Sequence, residues 1–149
     1  MSIEVVPVQA AEQLEEAFAI RRTVFVEEQG VSEAIEIDGL DDQAEHLLAI
    51  IEDRPVGTLR MRLFDQGRMA KIERVAVLAP ARGRQVGQAL MHAVLAQARA
   101  RGAAEAKVHA QTVVQDFYMR LGFVAVGPEF EEDGIAHIAM ILSLVETAP

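Results

Sequence analysis

Two hydrophobic periods alternate along the chain and predict its secondary structure. Apolar residues at every second position, or in a continuous run, are typical of strands, whereas recurrence every three to four residues is typical of helices. In one strand-like segment Leu59 and Met61 alternate with Thr58 and Arg60. A continuous apolar run over residues 46–51 predicts a strand buried on both faces. The predicted strands are Ile3–Val8, His46–Ile51, Val56–Phe64, Met69–Leu78, Glu105–Gln111, Phe123–Gly127 and Ala136–Leu144.

Helical spacing interrupts these strands and indicates the class of fold. The clearest apolar stripe consists of Leu90, Val94 and Ala98, and Gly102 follows it as a stop signal. Because a helix joins two strands within residues 69–111, we expect a right-handed parallel crossover there. The order of elements predicts a mixed sheet with helices packed on it, an α/β (α+β) fold. The predicted helices are Ala11–Phe25, Gly87–Arg101 and Val113–Leu121, and the acidic segments 31–45 and 128–134 are predicted loops.

Composition excludes several classes of function. The chain has 149 residues, which suits a single domain spanning 1–149. It contains no cysteine, so disulfides, cysteine-bound metals and thiol nucleophiles are excluded. A net charge of −9 disfavours nucleic acid as a partner. Since the chain shows no signal peptide, no membrane-spanning run, no metal motif and no GxSxG serine, we expect a cytoplasmic protein without membrane segments or bound metal.

The segment LAPARGRQVGQA, residues 78–89, has the pattern of an anion-binding loop. A strand ends there, a loop rich in glycine and arginine follows, and a helix begins. The first amides of a helix lack intrahelical partners and carry partial positive charge, and Gly83 and Gly87 let a bulky anion come close to the backbone. Arg82 and Arg84 add formal charge. The segment therefore predicts a phosphate or pyrophosphate cradle, and the alternative is an ordinary turn with solvated arginines.

Two ordered motifs resemble the GNAT superfamily of acyl-CoA N-acetyltransferases. Residues 84–89, RQVGQA, match that family's pyrophosphate loop [Q/R]-x-x-G-x-[G/A], and the apolar strand 72–78 precedes it. Residues 117–123, FYMRLGF, match its aromatic–Tyr helix followed by Leu-Gly-Phe. The resemblance extends over residues 3–144. It implies a mostly antiparallel sheet of six to seven strands, helices on both faces, strands that splay at the donor site, and acetyl-CoA as cosubstrate.

The resemblance also assigns binding residues. The backbone of residues 75–77 would pair with the pantetheine arm of coenzyme A, as two splayed strands leave amide groups free. The loop amides and arginines would hold the pyrophosphate. The first helix and the loop after it would form part of the acceptor pocket, with Phe25, Glu28 and Gln29 as substrate-binding residues. The implied donor-binding residues are Val75, Ala76, Val77, Arg82, Gly83, Arg84, Gln85, Val86, Gly87, Gln88, Ala89 and Phe117.

Tyr118, the single tyrosine of the chain, is the candidate catalytic acid. Transfer from a thioester to an amine requires loss of a proton from the amine, stabilisation of an oxyanion and departure of a thiolate. The resemblance gives Tyr118 the task of protonating or hydrogen-bonding that thiolate. The alternative is a half-buried aromatic packed in a small helix.

Glu73 is the candidate base that takes the proton of the amine. A regular strand would place Glu73 on the same face as Val75 and Val77. The alternative is a surface carboxylate paired with Lys71 or Arg62. The four histidines are weaker candidates: His46 and His109 lie in or beside apolar runs, His92 falls on a solvated helix face, and His137 opens a strand and could approach a site.

Charge is distributed unevenly between two neighbouring blocks. Residues 27–53 contain ten acidic residues and no Lys or Arg, whereas residues 54–84 contain eight basic residues and two acidic ones. The basic block holds the predicted phosphate loop. The acidic block belongs to the first helix and the loop after it, which the resemblance assigns to the acceptor pocket. We therefore expect a cationic amine acceptor that is steered by an acidic wall. The alternative is a solvated loop whose charges serve solubility.

A second resemblance concerns acyl-homoserine-lactone synthases, which share the GNAT fold. Arg22, Phe25, Glu36, Asp38 and Asp41 fit their Arg…Val-Phe and Glu-x-Asp-x-x-Asp motifs loosely. The chain lacks the tryptophan of that motif, is shorter, and keeps the coenzyme A loop. It is more similar to a subgroup of small bacterial GNAT proteins with a VFVEEQG-type segment, and there the resemblance ends at the reaction class.

Three hypotheses of function follow, in order. The first is acetyl-CoA-dependent N-acetylation of a small-molecule or protein amine, the second a non-catalytic module that binds coenzyme A, and the third acyl-homoserine-lactone synthesis. The apolar strand Ile138–Leu144 could support a homodimer or belong to the core.

Overall fold

The computed structural model of the protein describes residues 2–145, apart from the side chain of Ile35. Eight strands in this range form one sheet: β1 (Ile3–Pro7), β2 (Glu45–Ile51), β3 (Arg54–Phe64), β4 (Met69–Val77), β5 (Glu105–Gln111), β6 (Val124–Ala125), β7 (Phe130–Glu132) and β8 (Ile135–Ser143). The helices are α1 (Ala11–Arg21), a π-helix (Arg22–Glu28), α2 (Glu33–Glu36), α3 (Val86–Ala100) and α4 (Gln115–Arg120). Short 3-10 turns occupy Asp41–Gln43, Ala79–Ala81 and Thr112–Val114. Within residues 2–145 every helix is too short or too polar to cross a membrane.

The strand order is β1-β2-β3-β4-β5-β8-β6, and β7 also pairs with β8. The β4–β5 pair is parallel and is joined through α3, while the other recorded pairs are antiparallel. The predicted mixed, mostly antiparallel sheet is therefore confirmed. β8 lies between β5 and the pair β6 and β7, so the apolar strand considered for a homodimer is an interior strand of this sheet.

Helices cover both faces of the sheet, as expected. Leu90 and Val94 of α3 belong to the larger core, together with Leu47 of β2. Ala17 of α1 belongs to the smaller core on the opposite face, together with Leu48 of β2. Consecutive residues of β2 thus enter different cores, which explains its continuous apolar run.

Two predicted loops contain regular structure. Segment 31–45 holds α2 and a 3-10 turn. Segment 128–134 holds β7, which raises the count of strands to eight. Asp133 and Gly134 have φ angles of 54° and 77°, and Glu132 pairs with Ile135 across them. A two-residue turn with both φ values positive is the preferred connection of a tight hairpin, so β7 folds back onto β8.

The predicted helix 11–25 is wrong at its end, because α1 stops at Arg21 and continues as a π-helix. The amide of Gln29 donates to the carbonyl of Val24, five residues earlier, at 3.2 Å. A π turn holds one residue more than an α turn and is frequent at functional sites. The second predicted helix is accurate, since α3 spans 86–100 against an expected 87–101.

A β-bulge interrupts β4 at Arg74, whose φ is 57°. Thr58 pairs with Ala76 but Arg60 pairs with Glu73, so one extra residue of β4 is accommodated. Glu73 therefore lies on the α1 face, where it contacts Arg60, while Val75 and Val77 pack against the α3-side core. The expectation that Glu73 shares a face with Val75 and Val77 is wrong, because it assumed a regular strand.

Beyond the bulge, β4 and β5 form a fork. Their parallel pairing ends at Ile72 and Val108, although β4 continues to Val77 and β5 to Gln111. The backbone edges that face each other beyond this point are unpaired, as the expected splaying of the strands requires.

Gly57 on β3 allows α3 to start close to the sheet. A Cβ atom at this position would stand 2.9 Å from Val86 Cγ1, 3.1 Å from Leu90 Cδ1 and 3.2 Å from the carbonyl oxygen of Ala76. We expect Gly57→Ala to lower the free energy of unfolding by about 1–3 kcal/mol, as overpacked cores do. Since Val86 is the first residue of α3, the affinity for acetyl-CoA should fall as well.

Denaturant unfolding and acetyl-CoA titration of Gly57→Ala test this expectation. Gly67→Ala is the control, because its Cβ would meet no atom within 4 Å, although its φ of +87° costs some stability. The control should keep the affinity of the wild type. Equal acetyl-CoA affinity in all three proteins would show that Gly57 does not position the start of α3.

Candidate active site

A cleft of about 440 Å³ opens at the fork between β4 and β5. Residues 75–77 of β4 form one wall, and His109 and Gln111 of β5 form the other. Both β5 side chains point to the α1 face, because Val108 and Ala110, which alternate with them along the strand, belong to the α3-side core. Polar alternation along β5 was the signal in the sequence that could have assigned Gln111 to the site.

The end of the π-helix closes the cleft on the α1 face. The Gln111 amide donates to Gln29 Oε1 at 3.0 Å, and Arg82 Nη2 contacts Glu28 Oε1 at 2.9 Å. One segment thereby spans both sides of the fork, with Phe25 also lining the cleft. The three residues expected in the acceptor pocket, Phe25, Glu28 and Gln29, thus lie together.

The predicted anion loop lies next to this cleft and is open to solvent. Residues 82–85 are exposed, Gly83 has a φ of +80°, and Gln85 caps α3 in a left-handed conformation without a side-chain hydrogen bond. As α3 begins at Val86, the amides of its first turn, residues 86–88, have no intrahelical acceptor. Arg82 lines the cleft and donates from Nε to the carbonyl of Val77 at 2.9 Å. These groups could hold a pyrophosphate.

Tyr118 lines the same cleft, and the ring of Phe117 packs between Tyr118 and the start of α3 at Gly87. Phe117 lies 3.4 Å from the position of a Cβ on Gly87, and it contacts Tyr118 edge-on with centroids 5.0 Å apart. Phe123 packs on Tyr118 at 5.8 Å. Burial raises the pKa of the Tyr118 phenol to about 12, so the hydroxyl stays protonated. It makes no hydrogen bond to other residues in the described range 2–145.

Glu73 also lines the cleft, but three cations neutralise its carboxylate. Its oxygens lie 2.5 Å from Arg62 Nε, 3.3 Å from Arg60 Nε and 3.5 Å from Lys71 Nζ. Burial raises the pKa of Glu73, yet the hydrogen bond from Arg62 and the positive charges outweigh it and lower the pKa to about 2. Such a carboxylate is a weak proton acceptor at neutral pH. The geometry therefore favours the paired-carboxylate alternative.

Three residues of the acidic block, Glu36, Asp38 and Asp41, are bound by arginines in a buried network. Arg60 Nη2 lies 2.7 Å from Asp38, and its Nη1 lies 3.0 Å from Asp41. Arg21 contacts Glu36 at 2.5 Å and Asp41 at 2.6 Å. Burial raises the pKa of Asp38, but the hydrogen bond and charge of Arg60 bring the pKa far below its usual range. Because these three acids are already paired with arginines, their charge is largely compensated, and the acidic acceptor wall expected from the sequence stays a prediction for the rest of the block.

The network also explains the second resemblance. Its acidic members, Glu36, Asp38 and Asp41, are the Glu-x-Asp-x-x-Asp residues. Of the two adjacent arginines, however, the one that binds Glu36 and Asp41 is Arg21 rather than Arg22. Arg22 forms an exposed pair with Glu33 at 3.2 Å. In this chain the motif fastens segment 36–41 to the sheet beside the cleft.

Two of the four histidines lie in the cleft. His109 and His137 line it, near Glu132 of β7. His46 is buried elsewhere, against the carbonyl of Asp41, and His92 is exposed on α3. No three His, Asp or Glu side chains of the described residues are arranged to hold a metal ion. Glu132 was missed in the sequence, because only the β7–β8 hairpin brings it to the site.

The diverging strands and the open start of α3 are the features that the resemblance to GNAT acetyltransferases implied for the donor site. Residues 8–144 match a family model described as the acetyltransferase (GNAT) domain. The chain therefore belongs to the GNAT acetyltransferase family and is an acyltransferase.

Known relatives can be aligned with this chain over most of its length. The protein YyaT of Bacillus subtilis (strain 168) is 40% identical over 130 residues, which cover 85% of this chain and 86% of the relative. The crystal structure of Escherichia coli ElaA matches with a TM-score of 0.83 and 32% identity, over 94% of this chain and 99% of that one. An acyl-CoA N-acyltransferase from Pseudomonas aeruginosa matches with a TM-score of 0.82 and 31% identity, with the same coverage.

Proposed function

We propose that the protein transfers the acetyl group of acetyl-CoA directly to a primary amine, with donor and acceptor bound together. The observation that carries this proposal is the fork, where unpaired backbone of β4 meets the cleft that contains Tyr118. The chain has no cysteine, so no thiol of the protein can carry the acetyl group between two half-reactions. The acceptor, a small molecule or a protein amine, binds in the cleft on the α1 face, next to the end of the π-helix.

The donor fits the arrangement of free backbone groups. Pantetheine contains amides that can pair with the open edge of Val75–Val77 in the manner of an added strand. The pyrophosphate reaches the exposed loop, where the amides of residues 86–88 and the side chains of Arg82 and Arg84 supply hydrogen bonds and charge. An open strand edge next to the start of a helix suits a ligand that has both an amide-rich arm and a pyrophosphate.

The chemistry requires little covalent participation by the protein. The amine nitrogen forms a bond to the thioester carbonyl carbon, the carbon–sulfur bond breaks, and the sulfur leaves with the electron pair. Tyr118 donates a hydrogen bond to this sulfur. Because the pKa of Tyr118 is about 12 while that of an ordinary thiol is about 8.5, the hydroxyl stabilises the thiolate without giving up its proton.

Thermal unfolding with acetyl-CoA tests the donor first. Ligand at about 100-fold over its Kd should stabilise the protein by roughly 2.7 kcal/mol, a rise in Tm of about 5–10 °C. Release of coenzyme A is then followed with a diamine, an amino sugar, an amino acid and a peptide N-terminus as acceptors. S-adenosylmethionine is added in parallel and should leave the Tm unchanged.

Matched charge variants show where the donor binds. Arg84→Glu should weaken acetyl-CoA binding about 10- to 100-fold, since one charge-assisted contact to phosphate becomes a repulsion. Arg54→Glu carries the same change of charge at an exposed position on β3 and should bind like the wild type. If acetyl-CoA does not raise the Tm of the wild type, the loop is a structural turn and the proposal fails. Binding without turnover of any amine would favour a coenzyme A-binding module.

A further inference from the structure

The first residues beyond the last β4–β5 pair form the apex of the fork. That pair is Ile72 with Val108, so Glu73 and His109 are the next residues on each strand. Both side chains lie on the α1 face and line the cleft. If the proposed donor lies along the fork, its thioester end and the amine meet near this apex. One of these two side chains is therefore placed to receive the proton of the amine.

We propose that His109, oriented by Glu132, accepts the proton of the acceptor amine; this inference rests on the proposed acetyl transfer. His109 Nδ1 lies 3.1 Å from Glu132 Oε1. A carboxylate only accepts hydrogen bonds, so Nδ1 carries the ring proton and donates a hydrogen bond to Glu132. The other ring nitrogen, Nε2, then holds a lone pair. Glu73, in contrast, has its lone pairs engaged by Arg60, Arg62 and Lys71.

The surroundings hold the imidazole in one orientation. Phe130 of β7 packs edge-on against His109 with centroids 5.0 Å apart, and it stacks on His137 at 6.0 Å. His137 is fixed by a 2.7 Å contact between its Nδ1 and the carbonyl of Ile135. The tight β7–β8 hairpin thus carries the phenyl ring and the carboxylate that position His109.

The charges around His109 keep it neutral before the reaction. Burial lowers its pKa, Glu132 raises it, and Lys71 and Lys107 lower it, with a net result below the ordinary value of 6.5. His137 and Glu132 face it from β8 and β7, while Glu73 on β4 is neutralised by its arginines. An imidazole of this kind is a free base at neutral pH and meets the requirement for a general base.

The proton on the amine nitrogen passes to His109 Nε2 as the nitrogen–carbon bond forms, and the imidazolium is stabilised by Glu132. The carbon–sulfur bond breaks and the thiolate leaves, assisted by Tyr118. The imidazolium afterwards returns its proton to solvent or to the thiolate, so the products are an N-acetyl amine and the thiol of coenzyme A.

Nitrogen-15 NMR of the four histidines tests the base without any acceptor. His109 should be neutral at pH 7, as the Nδ1–H tautomer, and should titrate below pH 6.5. Glu132→Gln should lose the preference for this tautomer. The exposed His92 on α3 serves as the internal reference. A His109 that is protonated at pH 7, or that carries its proton on Nε2, would overturn the inference.

Kinetics with an amine accepted by the wild type test the catalytic step. His109→Gln should lower kcat about 100- to 10,000-fold, which is the range for loss of a general base, and should abolish the fall of kcat/KM at acid pH. Its Kd for acetyl-CoA and its Tm shift should stay at wild-type values. His92→Gln is the matched control and should be fully active. Glu132→Gln should shift the acid limb of the pH profile rather than remove it.

The outcomes separate this inference from the proposed function. If His109→Gln binds acetyl-CoA and keeps the wild-type kcat, His109 is not the base, while the acetyl transfer stands. If the wild type binds no acetyl-CoA, both proposals fail. Loss of kcat with intact binding and a missing acid limb supports His109, and loss of binding together with kcat counts against it.

Discussion

Replacing Arg60 with methionine is expected to lower the free energy of unfolding by about 3–5 kcal/mol, the usual cost of removing one partner from a buried ion pair. The Arg60 side chain is 0% exposed and contacts three carboxylates, those of Asp38, Asp41 and Glu73. Methionine fills a similar volume but donates no hydrogen bond, so buried negative charge remains without its central partner. Urea unfolding at pH 7 measures the loss.

Acid should reduce this difference between Arg60→Met and the wild type. Glu73 has a pKa of about 2 in the folded chain against an ordinary 4.5. A lowered folded pKa gives stability that is present above about pH 4.5 and is lost as the pH falls toward 2. Between about pH 4.5 and 2 the free energy of unfolding of the wild type therefore falls more than that of Arg60→Met, and the difference between the two proteins shrinks.

The control for Arg60→Met is Arg22→Met. Arg22 pairs with Glu33, but both side chains are more than half exposed, and exposed pairs contribute about 0–1 kcal/mol. If the two variants lose the same stability, or if the loss at Arg60 does not depend on pH, the network is not a buried electrostatic unit.

The arginines illustrate a limit of prediction from the sequence. Arg21 and Arg22 are adjacent, and on a helix they differ by about 100° in direction, yet only Arg21 enters the network. In the sequence, Asp38 and Asp41 look like part of a solvated loop, because their partner Arg60 lies 22 and 19 residues further along the chain, on β3. Tertiary packing selects such partners, and local composition holds no information about it.

Backbone irregularities set a second limit. The alternation on β3 and the stripe on α3 follow regular periods, and their elements were predicted to within two residues. The bulge at Arg74 and the π-helix each insert one residue into a regular period, which neither hydrophobicity nor residue type announces. Both irregularities shape the cleft. The sequence motifs predicted the donor loop and Tyr118. The residues that the β7–β8 hairpin contributes to the cleft could be identified only in the structure.

Tyr118→Phe is expected to lower kcat about 100- to 1,000-fold while the fold and the donor affinity stay intact, because one preorganised donor to a developing charge is worth that much. The phenyl ring retains the contacts with Phe117 and Phe123. The hydroxyl makes no hydrogen bond within residues 2–145, so its removal leaves no partner unsatisfied. The Tm with and without acetyl-CoA should thus match the wild type, and CoA release should report the loss.

The wild type offers a direct check on the same hydroxyl. The chain has one tyrosine, no tryptophan and six phenylalanines, so its absorbance at wavelengths longer than the phenylalanine bands reports on Tyr118 alone. Phenolate absorbance should appear only near pH 12, or when the fold opens in alkali. Bound coenzyme A thiolate should perturb this absorbance, since the hydroxyl then gains a charged acceptor. A kcat of Tyr118→Phe within about threefold of the wild-type value would be far from the loss expected when a donor to a developing charge is removed. In that case Tyr118 only packs in the core, and the thiolate leaves without its help.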